Sequence, residues 1–195
     1  TRNLFKNRFS FDVSKASIIY LGKDSFFHPI ECSSEPKVKE FCEKKYILSV
    51  SHLYPYKNIE TILDSFSKLD DQDIFLIIAG AFHTESYHQK LIDISENLSI
   101  RERVVFLGEV SKTELRELYT FCKILVFSSP FENFAYTLVE AMSCGAPIIA
   151  SDSTAMPETC KSAAKYFSPY SSKELFQEII SFINDHDLRE KYKRK

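Results

Sequence analysis

Six short and largely apolar runs alternate with amphipathic segments along most of this chain. The runs lie at residues 46–51, 74–79, 104–107, 124–127, 148–150 and 164–167. Helical spacing of apolar residues occurs at residues 58–69, 84–98, 111–121, 136–144 and 172–184, and a charged helix is expected at 187–195. Strands that are apolar on both faces and separated by helices are typical of a parallel sheet covered on both sides. The pattern therefore predicts an α/β fold with a Rossmann-like, doubly wound parallel β-sheet flanked by helices.

The first part of the chain departs from this alternation. Residues 1–36 contain one short β-rich run at 17–21, and a polar stretch with prolines follows it. We expect residues 1–36 to be a lead-in or interdomain linker with one short strand, and residues 37–195 to be the Rossmann-like domain. Ligands of such sheets bind at the carboxyl ends of the strands, so the loops that follow the strands are the places to examine.

Composition and motif content argue against several classes of function. Lysine and arginine total 25 against 27 aspartate and glutamate, so the net charge of −2 offers no global basic field for nucleic acid or anionic lipid. The five cysteines have no metal-ligand spacing, and no bound metal is expected. Neither G-x-G-x-x-G nor a P-loop occurs, which argues against a dinucleotide redox cofactor. No apolar run reaches the roughly 18 residues of a membrane helix.

The loop after the fourth predicted strand carries the strongest functional signal. Glu132 lies in that loop, and Glu140 follows after seven intervening residues, inside the next helix. A loop that opens a helix offers free backbone N–H groups and the positive end of the helix dipole, which suit a phosphate. Singly, Glu132 could be a surface carboxylate and Glu140 an acid stabilised by the dipole. Together with their flanks they predict a sugar-nucleotide site.

Three further residues stand at the ends of predicted strands. Lys57 opens the helix after the first strand, and Gly80 and Gly108 close the second and third strands. Lys57 is either a solvated lysine or a cation that reaches a diphosphate. The glycines are either turn residues or positions where a backbone or a ligand comes close. Position alone leaves both pairs of alternatives open.

These segments resemble a known family. The chain looks like the C-terminal, donor-binding half of a retaining glycosyltransferase of the two-Rossmann-domain (GT-B) type, family 4, and the resemblance covers nearly all of residues 17–193. The segment Glu132 to Glu140, with the following Glu-Ala-Met-x-x-Gly-x-Pro, matches the family's E-x7-E motif and is the specific part. Supporting matches are residues 19–29 to N-G-V-D-x-x-x-F-x-P, 51–57 to G-R-L-x-x-x-K, 106–108 to F-x-G and 157–158 to P-E.

The resemblance implies a role for each matched residue at the donor diphosphate. Lys57, with His52 beside it, would bind the diphosphate. The loop residues Asn133 and Phe134 lead to the helix start, where the diphosphate would also meet the backbone N–H groups. Those groups belong to the residues around Ala135, Tyr136 and Thr137.

The rest of the donor would meet the two carboxylates and the glycine loops. Glu140 would accept hydrogen bonds from the ribose, and Glu132, as the catalytic carboxylate, would hold the transferred sugar. The loops at Gly80 and Gly108 would flank the base. Family members of this type need no bound metal or other cofactor, because Lys or Arg and the helix dipole neutralise the leaving diphosphate.

Three positions depart from the family pattern. His52 stands where the family usually has arginine, and so lacks a permanent charge and a bidentate fork. Asn133 and Ala135 replace the usual glycines of E-G-F-G. Asparagine tolerates positive φ, so Asn133 is expected to keep the glycine's turn. Ala135 is small enough for a phosphate to approach closely.

The resemblance thus implies a retaining glycosyltransferase that takes a sugar from a UDP- or GDP-linked donor, in polysaccharide or glycoconjugate synthesis. The acceptor, a glycan or lipid-linked sugar, would be held by an N-terminal domain that this chain does not contain, and the chain alone is expected to be inactive. The expected location is the cytoplasm, or the inner face of the membrane for the full-length enzyme. The alternative is a non-catalytic nucleotide-sugar-binding or regulatory module.

Overall fold

The computed structural model describes residues 21–193 together with Asp12, Ser14, Ser17 and Ile19. Its centre is a sheet of six strands: β1 Lys45–Val50, β2 Ile74–Ala79, β3 Val104–Gly108, β4 Ile124–Phe127, β5 Ile148–Ser151 and β6 Ala164–Phe167. The strands are parallel and their order is β3-β2-β1-β4-β5-β6. The predicted doubly wound parallel sheet is confirmed, with strands close to the predicted runs.

Helices connect the strands. They are α1 Pro36–Cys42, α2 Ile59–Phe66, α3 Glu85–Asn97, α4 Lys112–Phe121, α5 Tyr136–Ser143, α6 Met156–Cys160, α7 Ser172–Asn184 and α8 His186–Lys193. The sequence did not predict the short helices α1 and α6, since neither is long enough to show a helical period. Helix α4 begins with the capping box that Ser111 and Glu114 form.

Both faces of the sheet are covered by helices. In β1, Ile47 belongs to an apolar cluster with residues of α2, α3 and α7, whereas Leu48 belongs to a second cluster with residues of α1, α4 and α5. Successive side chains of a strand point to opposite faces, so a strand buried on both sides must be apolar throughout. This burial explains why β1, β2 and β4 are nearly continuous apolar runs.

The segment before β1 also contributes to the fold. Phe27 is 2% exposed and packs against the ring of Tyr119 in α4, with ring centroids 5.9 Å apart. Of the strand predicted at 17–21, Ser17, Ile19 and Leu21 are described and lie in no strand, while Ile18 and Tyr20 lie outside the described residues. The domain boundary at residue 36 stays a prediction.

A buried carboxylate holds α1 against α4. Glu117 of α4 is fully buried and accepts hydrogen bonds from the Ser33 hydroxyl at 2.6 Å, the Ser34 backbone N–H at 2.8 Å and the Glu35 backbone N–H at 3.1 Å. Glu35 precedes α1 and makes no side-chain cap of its own. Burial alone raises the pKa of Glu117, but these hydrogen bonds outweigh it and hold the pKa below its usual value.

We predict that Glu117→Gln destabilises the protein at neutral pH by about 1–3 kcal/mol, because an amide cannot accept from all these donors. Since the folded state lowers this pKa, the ionised carboxylate stabilises the fold above the usual glutamate pKa, and this contribution disappears as pH falls through the folded-state pKa. Urea unfolding measures the free energy of unfolding of parent and variant at pH 7 and at pH values below about 4. The difference between the two proteins should be smaller at the acidic pH. The exposed Glu96→Gln is the control, and a gap independent of pH would contradict the assignment.

Candidate functional site

Two loops meet where the strand order reverses, between β1 and β4. In sheets of this kind a ligand binds at this switch point. The Ser128 hydroxyl, just after β4, donates to the carbonyl oxygens of Lys57 at 2.8 Å and Asn58 at 2.9 Å. Asn58 has φ 57°, a left-handed conformation between a short 3-10 turn and α2. Ser128 and the Asn58 turn therefore fix where Lys57 stands.

Lys57 and Glu132 form an ion pair at this edge. The Lys57 ammonium donates a hydrogen bond to Oε1 of Glu132, and the two side chains are only 13% and 15% exposed. The Glu132 backbone N–H donates to the Thr154 hydroxyl in the loop after β5, at 3.0 Å. A solvated lysine and a free surface carboxylate do not match this geometry. The structure instead brings together two residues that are 75 positions apart in the sequence.

The start of α5 follows Glu132 in the chain. Ala135, 2% exposed, precedes the helix and forms no side-chain cap. The Tyr136 side chain is 50% exposed, and its ring meets the Phe134 ring edge to face at 4.8 Å. The first turn of α5, with Tyr136 and Thr137, can therefore present its backbone N–H groups to an anion.

Asn133 does not adopt the positive φ that would keep a glycine's turn. Among the described residues, positive φ occurs outside glycine at Asn58, Ser99, Thr154 and Lys161, and not at Asn133. The loop from β4 to α5 therefore reaches its helix without a left-handed residue. An asparagine in the place of the family's glycine consequently needs no special backbone conformation here.

Glu140 lies in the second turn of α5. No acidic residue stands in the first turn, so the helix dipole does not explain its position. The Tyr119 hydroxyl donates to Oε2 of Glu140 at 3.2 Å. Burial raises the pKa of Glu140, although the hydrogen bond from Tyr119 lowers it. The carboxylate is thus a half-buried acceptor held in place by a buried tyrosine.

Gly80 and Gly108 join the ends of β2 and β3. The Gly80 N–H donates to the Gly108 carbonyl at 2.8 Å. Gly80 has φ +137°, and a Cβ there would stand 1.9 Å from the Ser51 carbonyl oxygen. Gly108 has φ +64°, but its nearest neighbour to an added Cβ is the Phe82 ring at 3.9 Å. For Gly80 the structure therefore shows a close approach of backbone.

His52 lies in the loop after β1, with an exposed side chain. Its carbonyl accepts from the Tyr54 N–H at 2.9 Å, and the next residue, Leu53, bridges to Phe82. Within the described part of the chain, no hydrogen bond or ion pair joins the His52 side chain to Lys57 or Glu132. The structure places His52 at the expected edge of the sheet but outside the ion pair.

Several residues of this site were not predicted. Ser128 anchors the loop after β1, and Thr154 anchors the loop after β4. The buried Ser51 hydroxyl has no hydrogen-bond partner among the described residues. Ser51, Lys57, Ser128 and Ser129 line a small concavity between the ends of β1 and β4. Serines and threonines in loops carry no sequence signal for contacts between loops that are distant in the chain.

In the described residues, no group of three or more His, Cys, Asp or Glu side chains is arranged to hold a metal ion. Over the same part of the chain, no helix combines the length and the apolar character that crossing a bilayer requires.

The fold and the site define a Rossmann-like α/β domain with a lysine–glutamate ion pair at its switch point. Residues 33–195 match the family model of the glycosyl transferases group 1, and the chain belongs to that family. It is 30% identical over 192 residues to the O-antigen chain mannosyltransferase RfbU of Salmonella typhimurium, a match that covers 93% of this chain and 50% of that protein. The chain thus spans half the length of this relative.

Solved structures show the same fold. A glycosyltransferase from Rickettsia africae superposes with a TM-score of 0.88 at 20% identity, over 99% of this chain and 54% of that one. Anabaena HepE, solved in complex with UDP, superposes with a TM-score of 0.85 at 20% identity, over 98% of this chain and 54% of that one. The expected fold, one half of a GT-B glycosyltransferase, is confirmed.

The two strand-end glycines allow a matched test. Gly80→Ala should destabilise the protein more than Gly108→Ala, because only the first Cβ overlaps backbone. We expect a loss of about 1–2 kcal/mol for Gly108→Ala from the left-handed backbone alone, and a further loss of about 1–3 kcal/mol for Gly80→Ala from overpacking. Thermal or urea unfolding of both variants checks the order, and equal losses would contradict it.

Proposed function

We propose that this chain is the donor-binding domain of a retaining glycosyltransferase. It binds a UDP- or GDP-linked sugar at the switch point, and the sugar passes to an acceptor glycan or lipid-linked sugar held by a second domain. The observation that carries this proposal is the Lys57–Glu132 ion pair, in which Glu132 belongs to the loop that leads into the uncapped start of α5.

The positive side of this site suits a diphosphate. The Lys57 ammonium is one fixed charge, and the N–H groups of the first turn of α5 add the positive end of the helix dipole. When the bond to the sugar breaks, negative charge develops on the leaving diphosphate. A cation and a helix start that are already in place stabilise that charge without reorganising.

The two carboxylates suit hydroxyl groups on either side of the diphosphate. Glu140 is half-buried and held by Tyr119, so it can accept hydrogen bonds from a ribose. Glu132 precedes the helix start and would accept from the transferred sugar, next to the reacting carbon. Carboxylates accept hydrogen bonds in more than one direction, which allows each to hold two hydroxyls of a sugar.

The family and the similar proteins support this choice of substrate. The Salmonella relative is named an O-antigen chain mannosyltransferase, and the Anabaena neighbour was solved with UDP. The first name supports a growing saccharide as acceptor, and the second structure supports a nucleotide-linked donor. The acceptor hydroxyl must be held against the donor's reacting carbon, and much of the rate comes from that positioning.

The proposed diphosphate site predicts a preference among nucleotides. UDP or GDP should bind at least about tenfold more tightly than the matching monophosphate, equal to about 1.4 kcal/mol. The second phosphate is the group that Lys57 and the α5 start would contact. Calorimetric titration with UMP, UDP, GMP and GDP measures this, and equal affinities within each base would refute the site.

Lys57→Ala should weaken binding of the sugar nucleotide by about 1.5–3 kcal/mol, the cost of losing a charged hydrogen-bond donor. The matched control is Lys68→Ala, which removes an exposed lysine paired with Asp64 on α2. Circular dichroism establishes that both variants are folded before titration. Unchanged binding by Lys57→Ala would remove this lysine from the donor site.

A further inference from the structure

We propose that Glu132 and the donor diphosphate compete for Lys57, so that Glu132 selects the intact sugar nucleotide over the nucleoside diphosphate that transfer leaves behind. This inference rests on the proposed function and assigns Glu132 a second role at the same site. The ion pair then favours binding of the donor and release of the nucleoside diphosphate. It breaks when a ligand supplies sugar hydroxyls to Glu132, and it re-forms once the sugar has been transferred.

The first observation is which groups surround the Lys57 ammonium. The Lys57 ammonium donates to Glu132, and its other neighbours include the rings of Tyr56 and Phe127, at 4.9 and 5.9 Å from the ring centroids. Aromatic faces attract a cation but cannot replace a carboxylate as an acceptor. In the described residues, the anion that meets this ammonium is Glu132. A phosphate that uses Lys57 must therefore share or displace that carboxylate.

The second observation is that both backbones are anchored. The Ser128 hydroxyl holds the carbonyls of Lys57 and Asn58, and the Thr154 hydroxyl accepts from the Glu132 N–H. The two residues therefore stay close when a ligand arrives, and the competition is between side-chain contacts. At 13% and 15% exposure, neither charge can turn freely into water.

These two observations predict a difference between ligands. A nucleoside diphosphate alone brings negative charge next to Glu132 and takes its lysine, leaving a poorly solvated carboxylate without its partner, which is costly. A sugar nucleotide brings hydroxyl donors to the same place, and these replace the hydrogen bond that Lys57 gave. The carboxylate therefore penalises the diphosphate product more than the intact donor.

The test is calorimetric titration of the parent and Glu132→Gln with UDP, GDP and their glucose or mannose derivatives. The amide keeps the shape but neither repels phosphate nor holds Lys57 by charge. We expect Glu132→Gln to bind the nucleoside diphosphate at least about fivefold more tightly than the parent. The preference for the sugar nucleotide over the diphosphate should fall at the same time. The control is Glu85→Gln, which removes one charge from an 88% exposed side chain at the start of α3 and should leave both affinities unchanged.

A second comparison separates competition for Lys57 from general charge repulsion. In a Lys57→Ala background, the gain in affinity for the nucleoside diphosphate that Glu132→Gln produces should fall by at least about half. The reason is that the ammonium for which carboxylate and phosphate compete is absent. An undiminished gain in that background would overturn the proposal, as would a Glu132→Gln variant that binds the diphosphate no better than the parent. If Glu132→Gln does not fold, Glu132→Ala serves in both comparisons.

The outcomes also separate this inference from the proposed function. A parent that binds the diphosphate, with no gain in the variant, overturns the competition and leaves the donor site standing. If neither parent nor variant binds any of these nucleotides, the donor site falls and the inference falls with it.

Discussion

The site depends on one junction, where the loop after β1 meets the loop after β4. The Ser128 hydroxyl fastens that junction through the carbonyls of Lys57 and Asn58. The reversal of strand order leaves a gap between two neighbouring crossovers, and the serine fixes the lysine at its edge. The loop after β4 carries Glu132, which pairs with Lys57, and the same loop then leads into the start of α5.

The two carboxylates of the E-x7-E segment have different environments, and the difference suits different tasks. Glu132 forms an ion pair with Lys57, while burial raises the pKa of Glu140 beside the Tyr119 hydroxyl. In the proposed site a phosphate that binds Lys57 shares or displaces the partner of Glu132, whereas the neutral Tyr119 hydroxyl that holds Glu140 has no charge to attract a phosphate. The roles proposed for them, the transferred sugar for Glu132 and the ribose for Glu140, are those that the family resemblance implies.

Contacts outside the site help to position the loops at the carboxyl ends of the strands. Gly80 allows the end of β2 to touch the backbone at Ser51, which brings the loops after β1, β2 and β3 together. On one face of the sheet, Glu117 ties the start of α1 to α4. The chain spans half the length of the Salmonella relative.

The sequence by itself determined the parallel sheet, most helices and the identity of Lys57, Glu132 and Glu140 as candidates. The spacing of apolar residues and the position of a residue at the end of a strand are local properties. They can therefore be recognised in the sequence without knowing which segments contact each other. Only the tertiary structure decided that Lys57 pairs with Glu132, that Glu117 caps α1 and that Asn133 needs no positive φ. These are contacts, or backbone choices set by contacts, between segments far apart in the chain. Their energies depend on how elements pack, and no local pattern encodes that packing.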